Sequence, residues 1–121
     1  MARYITAMAD AQTALDGTFR ALADPTRRAV VEALGRGPAS VSDLARPFAM
    51  AMPSFLQHLK VLEESGLVAS EKVGRVRTCT LRTEPLAAAN HWLEAQRRFW
   101  EQRLDQLDAF LMQMKSDEEQ S

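Results

Sequence analysis

The sequence predicts a mainly α-helical fold with a small β-hairpin, followed by one long C-terminal helix. Apolar residues recur at three- and four-residue spacing through most of the chain, and proline and glycine mark where helices open and close. One stretch, Leu67 to Leu81, departs from that rhythm and reads as two extended runs around Gly74.

At 121 residues the chain suffices for one compact domain plus an appendage, with a core that needs no metal or disulfide staple. The expected organisation is a partly ordered tail over 1–14, a body over 15–82, a C-terminal helix over 83–115 and a disordered polar tail over 116–121. The single cysteine, Cys79, cannot form an intrachain disulfide, which fits a reducing compartment. The first residues, MARYITAMADAQ, hold no apolar run of signal-peptide length, and no segment nears the roughly 18 apolar residues of a membrane span. A cytoplasmic protein with no membrane partner is expected.

The net charge of −1 conceals an asymmetry. Up to Arg82 there are 11 Lys and Arg against 8 Asp and Glu, and from Thr83 onward 4 against 8. A polyanion would therefore meet the body and not the C-terminal segment.

Leu15, Phe19 and Leu22 stand at helical spacing and predict a short amphipathic helix. In ADPTRRAVVEALGRG, Asp24 is placed to cap the next helix and Pro25 occupies a first-turn position where its missing N–H costs nothing. Val30, Ala33 and Leu34 form its buried stripe, and Gly35 and Gly37 offer a left-handed cap. A third helix opens at SVSDL, where Ser40 and Asp43 stand three apart as in a capping box. Leu44 and Phe48 face inward, and Pro47 shortens or kinks this helix, because an interior proline costs about 3 kcal/mol.

The stretch MPSFLQHLKVLEESGLV opens on Pro53 and closes on Gly66. At about 100° per residue, Phe55, Leu59 and Leu62 cluster on one side, opposite Pro53, Ser54, Gln57, Lys60 and Val61. Two short helices with a tight link, the second polar over its N-terminal half, make a helix-turn-helix candidate. The plainer reading is a solvated face with no ligand. The hairpin that follows, Leu67 to Lys72 and Arg77 to Leu81 around a turn at Val73–Val76, crowds Lys72, Arg75 and Arg77 near its tip, a grouping suited to phosphate contact.

Together LADPTRRAVVEAL, SVSDLA, FLQHLKVLEESGLV and VGRVRTCTL resemble successive signatures of the ArsR-type winged helix-turn-helix transcriptional regulators, the likeness running from about Phe19 to Leu81. The resemblance implies a homodimeric repressor of double-stranded DNA, with the helix at 53–64 in the major groove and the hairpin as a wing. Carried onto this chain, Ser54, Gln57 and His58 fall on the recognition helix and Arg75 and Arg77 on the wing. With Ser42, Met52, Pro53, Lys60 and Lys72 they make up the expected DNA-binding set. Leu56 departs from the pattern, since a small polar residue is common there. Gln57 is the first choice for base reading, because its amide can pair bidentately with adenine. His58, at the edge of the core face, is expected to bond to backbone or phosphate and not to a base.

Along the C-terminal helix, Leu93, Trp100, Leu104, Leu107, Leu111 and Met114 recur at spacings of 7, 4, 3, 4 and 3. That is heptad order, and Trp92, Phe99 and Phe110 widen the apolar surface beyond one seam. A single helix cannot bury these side chains alone, and each is worth roughly 1.5–3 kcal/mol when buried. The resemblance implies that the first and last helices form the dimer interface, with Leu15, Phe19 and Leu22 joining Leu93, Trp100, Leu104, Leu107 and Leu111. The alternative is a long helix packed wholly on its own domain.

Some sensors of this kind hold soft metals through a cysteine pair bracketing a valine. Here Ser40 and Ser42 take those places, and a neutral hydroxyl does not replace a thiolate. His91 stands alone on the last helix, so no metal and no cofactor is expected. Cys79 reads as an inert thiol. Without a Gly-rich phosphate loop, a GxSxG elbow or an HExxH pair, no enzyme is expected. The rival from another class is a winged-helix adaptor that binds proteins through its apolar last helix. The effector, the operator and the target genes are not legible.

Overall fold

The computed structural model describes residues 2–120, with side chains from Ala9 onward. Met1 and Ser121, the extremes of the two expected tails, lie outside the described residues. The elements are α1 (Ala2–Leu22), α2 (Pro25–Leu34), β1 (Ala39–Ser40), α3 (Val41–Ala45), α4 (Met52–Glu64), β2 (Val68–Val73), β3 (Val76–Leu81) and α5 (Glu84–Gln120). They divide into two units, residues 1–89 and residues 90–121.

Local chemistry sets most boundaries of the first unit. The Asp24 carboxylate accepts from the Arg27 amide at 3.0 Å and Pro25 begins α2, as expected of that pair. The Ser40 hydroxyl accepts from the Asp43 amide at 3.1 Å. Asp43 does not complete a capping box, because its carboxylate binds Arg46 at 2.7 Å instead. Helix α3 ends at Ala45, before Pro47 would break it. At the end of α2, Gly35 is right-handed and Gly37 carries the positive φ of 142°. Gly66, at φ 82°, closes α4 and turns the chain into the hairpin.

The inner face of α4 is the centre of the core. Phe55, Leu59 and Leu62 are buried with Val30 and Leu34 of α2, Leu44 of α3, and Leu67, Val68 and Cys79 of the hairpin. Phe48 is half-buried and stacks on Phe55 with ring centroids 5.7 Å apart. Strands β2 and β3 pair from Val68↔Leu81 to Val73↔Val76, and β1 adds to the other side of β3 through Ala39↔Cys79 and Ser40↔Thr78. The hairpin turns on Gly74 and Arg75, with a positive φ at Gly74 alone, the pattern of a type II′ turn.

Two expectations are corrected, and one element was not foreseen. Helix α1 begins at Ala2, where a tail to residue 14 was expected. The alanine-rich start supplies high helix propensity with too thin an apolar stripe to announce itself. Strand β1 was not foreseen, because two residues leave no period to read and Ser40 serves as both strand partner and helix cap. Helix α5 runs through the polar end to Gln120, aided by a 3.0 Å bond from the Gln113 amide to Asp117.

In the second unit, α5 presents Leu93, Phe99, Trp100, Leu104, Leu107, Phe110, Leu111 and Met114 to the outside, each at least half exposed. Leu22, expected at the dimer interface, is half-buried against the core of its own unit, and Leu15 is half-buried on α1. Phe19 is at the margin of exposure. No described helix is long and apolar enough to cross a membrane.

Candidate nucleic-acid interface

Burying Phe55, Leu59 and Leu62 forces the opposite side of α4 outward, and Met52, Pro53, Ser54, Leu56, Gln57 and Lys60 are all exposed. Pro53, Gln57 and Lys60 align along one stripe, with Ser54 and Leu56 flanking it. The Lys60 ammonium stands 3.9 Å from Glu64 across solvent, a pairing too loose to hold it from a phosphate. Ser42 is exposed on α3, the first helix of the helix-turn-helix. Lys72 and Arg75 are exposed at the wing and form no ion pair among the described residues.

Two expected contacts are drawn inward. His58 is half-buried, with Nδ1 3.2 Å from Nη1 of Arg27 and 3.6 Å from the Asp24 carboxylate. When the ring is neutral, Nδ1 accepts from the guanidinium, which can only donate. The neighbours of His58 within the chain are the Arg27 side chain of α2 and the Asp24 side chain that caps α2, where a backbone or phosphate partner was expected. Arg77 is likewise drawn toward α4: its guanidinium binds Glu63 through Nη2 and donates from Nε to the Ser70 hydroxyl at 3.0 Å.

The sequence reading passed over Arg27 and Arg28. Arg27 donates to the carbonyls of Ala21 at 2.8 Å and Arg20 at 3.0 Å, and Arg28 donates to that of Leu22 at 2.8 Å. These carbonyls lie in the last turn of α1, where the regular helical amide partners run out, and that of Arg20 also accepts from the Ala23 amide at 3.2 Å. A signal existed: two arginines in the first turn of a helix oppose its dipole, so they must serve something outside it. They serve the negative end of the helix before.

Asp24 joins this cluster electrostatically. Partial burial pushes its carboxyl up, but the Arg27 amide and the His58 and Arg27 charges outweigh that, leaving it below the usual carboxylate value. At Cys79, which is fully buried, burial pushes the thiol up, with Arg77 opposing and Glu63 adding to the rise.

Comparison with known proteins agrees with this geometry. A family model described as a helix-turn-helix domain matches residues 22–71. The HTH-type transcriptional regulator Rv2034 of Mycobacterium tuberculosis is 43% identical over 89 residues, covering 74% of this chain and 80% of that protein. The solved ArsR family transcriptional regulator RHA00566 is 54% identical with a TM-score of 0.72, covering 74% of this chain and 93% of that one. The chain belongs to the ArsR family.

It is thus a DNA-binding transcriptional regulator and not an enzyme. A second structure, the homodimeric winged helix-turn-helix DNA-binding domain Mb0332 of Mycobacterium bovis, shares the fold at 21% identity and a TM-score of 0.56, covering 78% of this chain and 86% of that one. The soft-metal site that some ArsR sensors carry does not fit these residues. The Ser40 hydroxyl is committed to the Asp43 amide, and Ser42 is an exposed hydroxyl with no thiolate beside it. Among the described residues, no three of His, Cys, Asp or Glu converge on a point that could hold a metal ion.

Proposed function

We propose that the protein is a homodimeric repressor that reads a palindromic operator, with α4 in the major groove and the β2–β3 wing on the adjoining backbone or minor groove. The observation that carries this reading is the union of an exposed Ser54, Gln57 and Lys60 face with an exposed Lys72 and Arg75 hairpin in one compact unit. Ser54 and Gln57 supply base-edge hydrogen bonds, and Lys60, Lys72 and Arg75 supply phosphate neutralisation.

Dimerisation rests on the apolar side of α5. Leu93, Trp100, Leu104, Leu107 and Leu111 keep heptad spacing and stand in solvent in the single chain. A second copy removes that surface from water, and the name of Mb0332 describes such a pairing for that protein. Two copies place two α4 helices on successive major grooves about 34 Å apart. Repression then follows by occlusion in the cytoplasm, since a dimer seated across a promoter competes for the same grooves as the polymerase.

The test is promoter competition. A duplex recovered from a random pool by the purified protein is placed across a promoter, and run-off transcription is measured with rising protein. Transcription should fall as the site fills. Unchanged or increased transcription at full occupancy would remove the repressor assignment.

A further inference from the structure

We propose that Arg77, Ser70 and Glu63 form a positioning clamp that sets the angle of the wing against the recognition helix, and that Arg77 contributes to DNA binding through this role and not as a phosphate contact. The proposal rests on the reading of α4 and the wing as the DNA-contacting elements.

The three residues come from the three elements that must act together. Glu63 is on the last turn of α4, Ser70 on β2 and Arg77 on β3. The Ser70 hydroxyl donates to Oε1 of Glu63 at 2.7 Å and accepts from Nε of Arg77 at 3.0 Å, while Nη2 of Arg77 closes the ring on the same carboxylate oxygen. The register explains the need. Lys72 stands directly across from Arg77, and like charges in that position repel. Ser70 and Cys79 are the next pair on this face, and Cys79 is fully buried, so the face turns toward the helices. Arg77 therefore folds back to the base of the hairpin, where Glu63 neutralises it, and leaves Lys72 and Arg75 as the outward cations.

The clamp matters for direction more than for stability. A half-exposed ion pair adds little to global folding. Three bonds on fixed backbone positions instead hold the hairpin at one attitude to α4, and binding benefits when such ordering is done in advance.

Charge alone and the clamp predict opposite signs for Glu63→Gln. Removing a negative charge beside DNA and freeing Arg77 would tighten binding and steepen the salt dependence by about one unit per added phosphate contact. Loss of the clamp would weaken binding with the slope unchanged. The measurement is anisotropy of a labelled duplex selected by the wild-type protein, titrated across a salt series with wild type, Glu63→Gln, Ser70→Ala and Arg75→Ala, with melting temperatures in parallel.

For Glu63→Gln we expect a several-fold loss of affinity at constant slope with little change in melting temperature. Ser70→Ala, which changes no charge, should give a smaller loss of the same kind and keeps the test open should Glu63→Gln fold poorly. Unchanged or tighter binding in both variants, or a steeper slope in Glu63→Gln, overturns the clamp. Arg75→Ala separates the two levels: if it leaves affinity intact, the wing does not touch DNA and the underlying reading falls. If it weakens binding while the Glu63 and Ser70 variants do not, only the clamp falls.

Discussion

Nη1 of Arg27 lies 3.2 Å from Nδ1 of His58, so the side chain next to Gln57 on α4 is bonded back to α2. The same guanidinium holds two carbonyls at the end of α1. One side chain thus joins three helices.

That junction predicts a division of labour. Arg27→Ala removes the donor to the Ala21 carbonyl and to the His58 ring, leaves the Arg20 carbonyl only its bond from the Ala23 amide, and should cost about 2 kcal/mol of stability, read as a lower urea midpoint. His58→Ala should lower stability by less and leave base preference untouched. A changed preference at any position in duplexes selected by the His58 variant would return His58 to the DNA-facing set.

Asp24 gives the junction a pH dependence. Its native carboxyl lies below the ordinary value of 3.8, so its contribution is fully present above the unfolded value and lost as pH falls through the lower native one. Asp24→Ala should cost about 1 kcal/mol near neutrality through the lost helix cap. The gap from wild type should shrink as pH drops through the acid range. A gap independent of pH would deny Asp24 this role.

On the outer face, Gln57→Ala should relax preference at one base position in each half-site, a loss of about 1–3 kcal/mol of discrimination. Arg75→Ala should weaken binding to all duplexes alike. With Lys60, Lys72 and Arg75 each meeting one phosphate in each subunit, log affinity should fall against log salt with a slope of about −5. Equal losses on selected and scrambled duplex in the Gln57 variant would remove its reading role, and a flat salt dependence would favour an adaptor.

Cys79 should be chemically silent. It is fully buried, and burial raises its thiol above the ordinary range, so little thiolate exists near neutrality. Alkylation by iodoacetamide should proceed no faster than global unfolding and accelerate with urea. Rapid labelling of the native protein would show an opening that this packing does not allow.

Legibility followed the physics of each feature. Helices with a cap and a proline, such as α2 at Asp24–Pro25, and the alternation of β2 and β3 are local patterns, and they emerged from residue spacing alone. The outward stripe of α4 followed once Phe55, Leu59 and Leu62 were placed inside. Strand β1 was illegible because its pairing with Cys79 and Thr78 is nonlocal. The inward turns of His58 and Arg77 were missed for the same reason. Arg27 stands 31 residues from His58, and Glu63 stands 14 from Arg77, so nothing in the spacing of either pair links them. What a charged side chain faces depends on the fold around it, and its type shows only what it is able to do.

The most direct measurement is hydroxyl-radical footprinting of the protein on a duplex it has itself selected, alongside the sedimentation mass of the complex. Pairing through the apolar side of α5 predicts two protected stretches on one face of the duplex, centred about 34 Å apart, in a complex holding two chains. One protected stretch, or a single chain bound at full affinity, would contradict it.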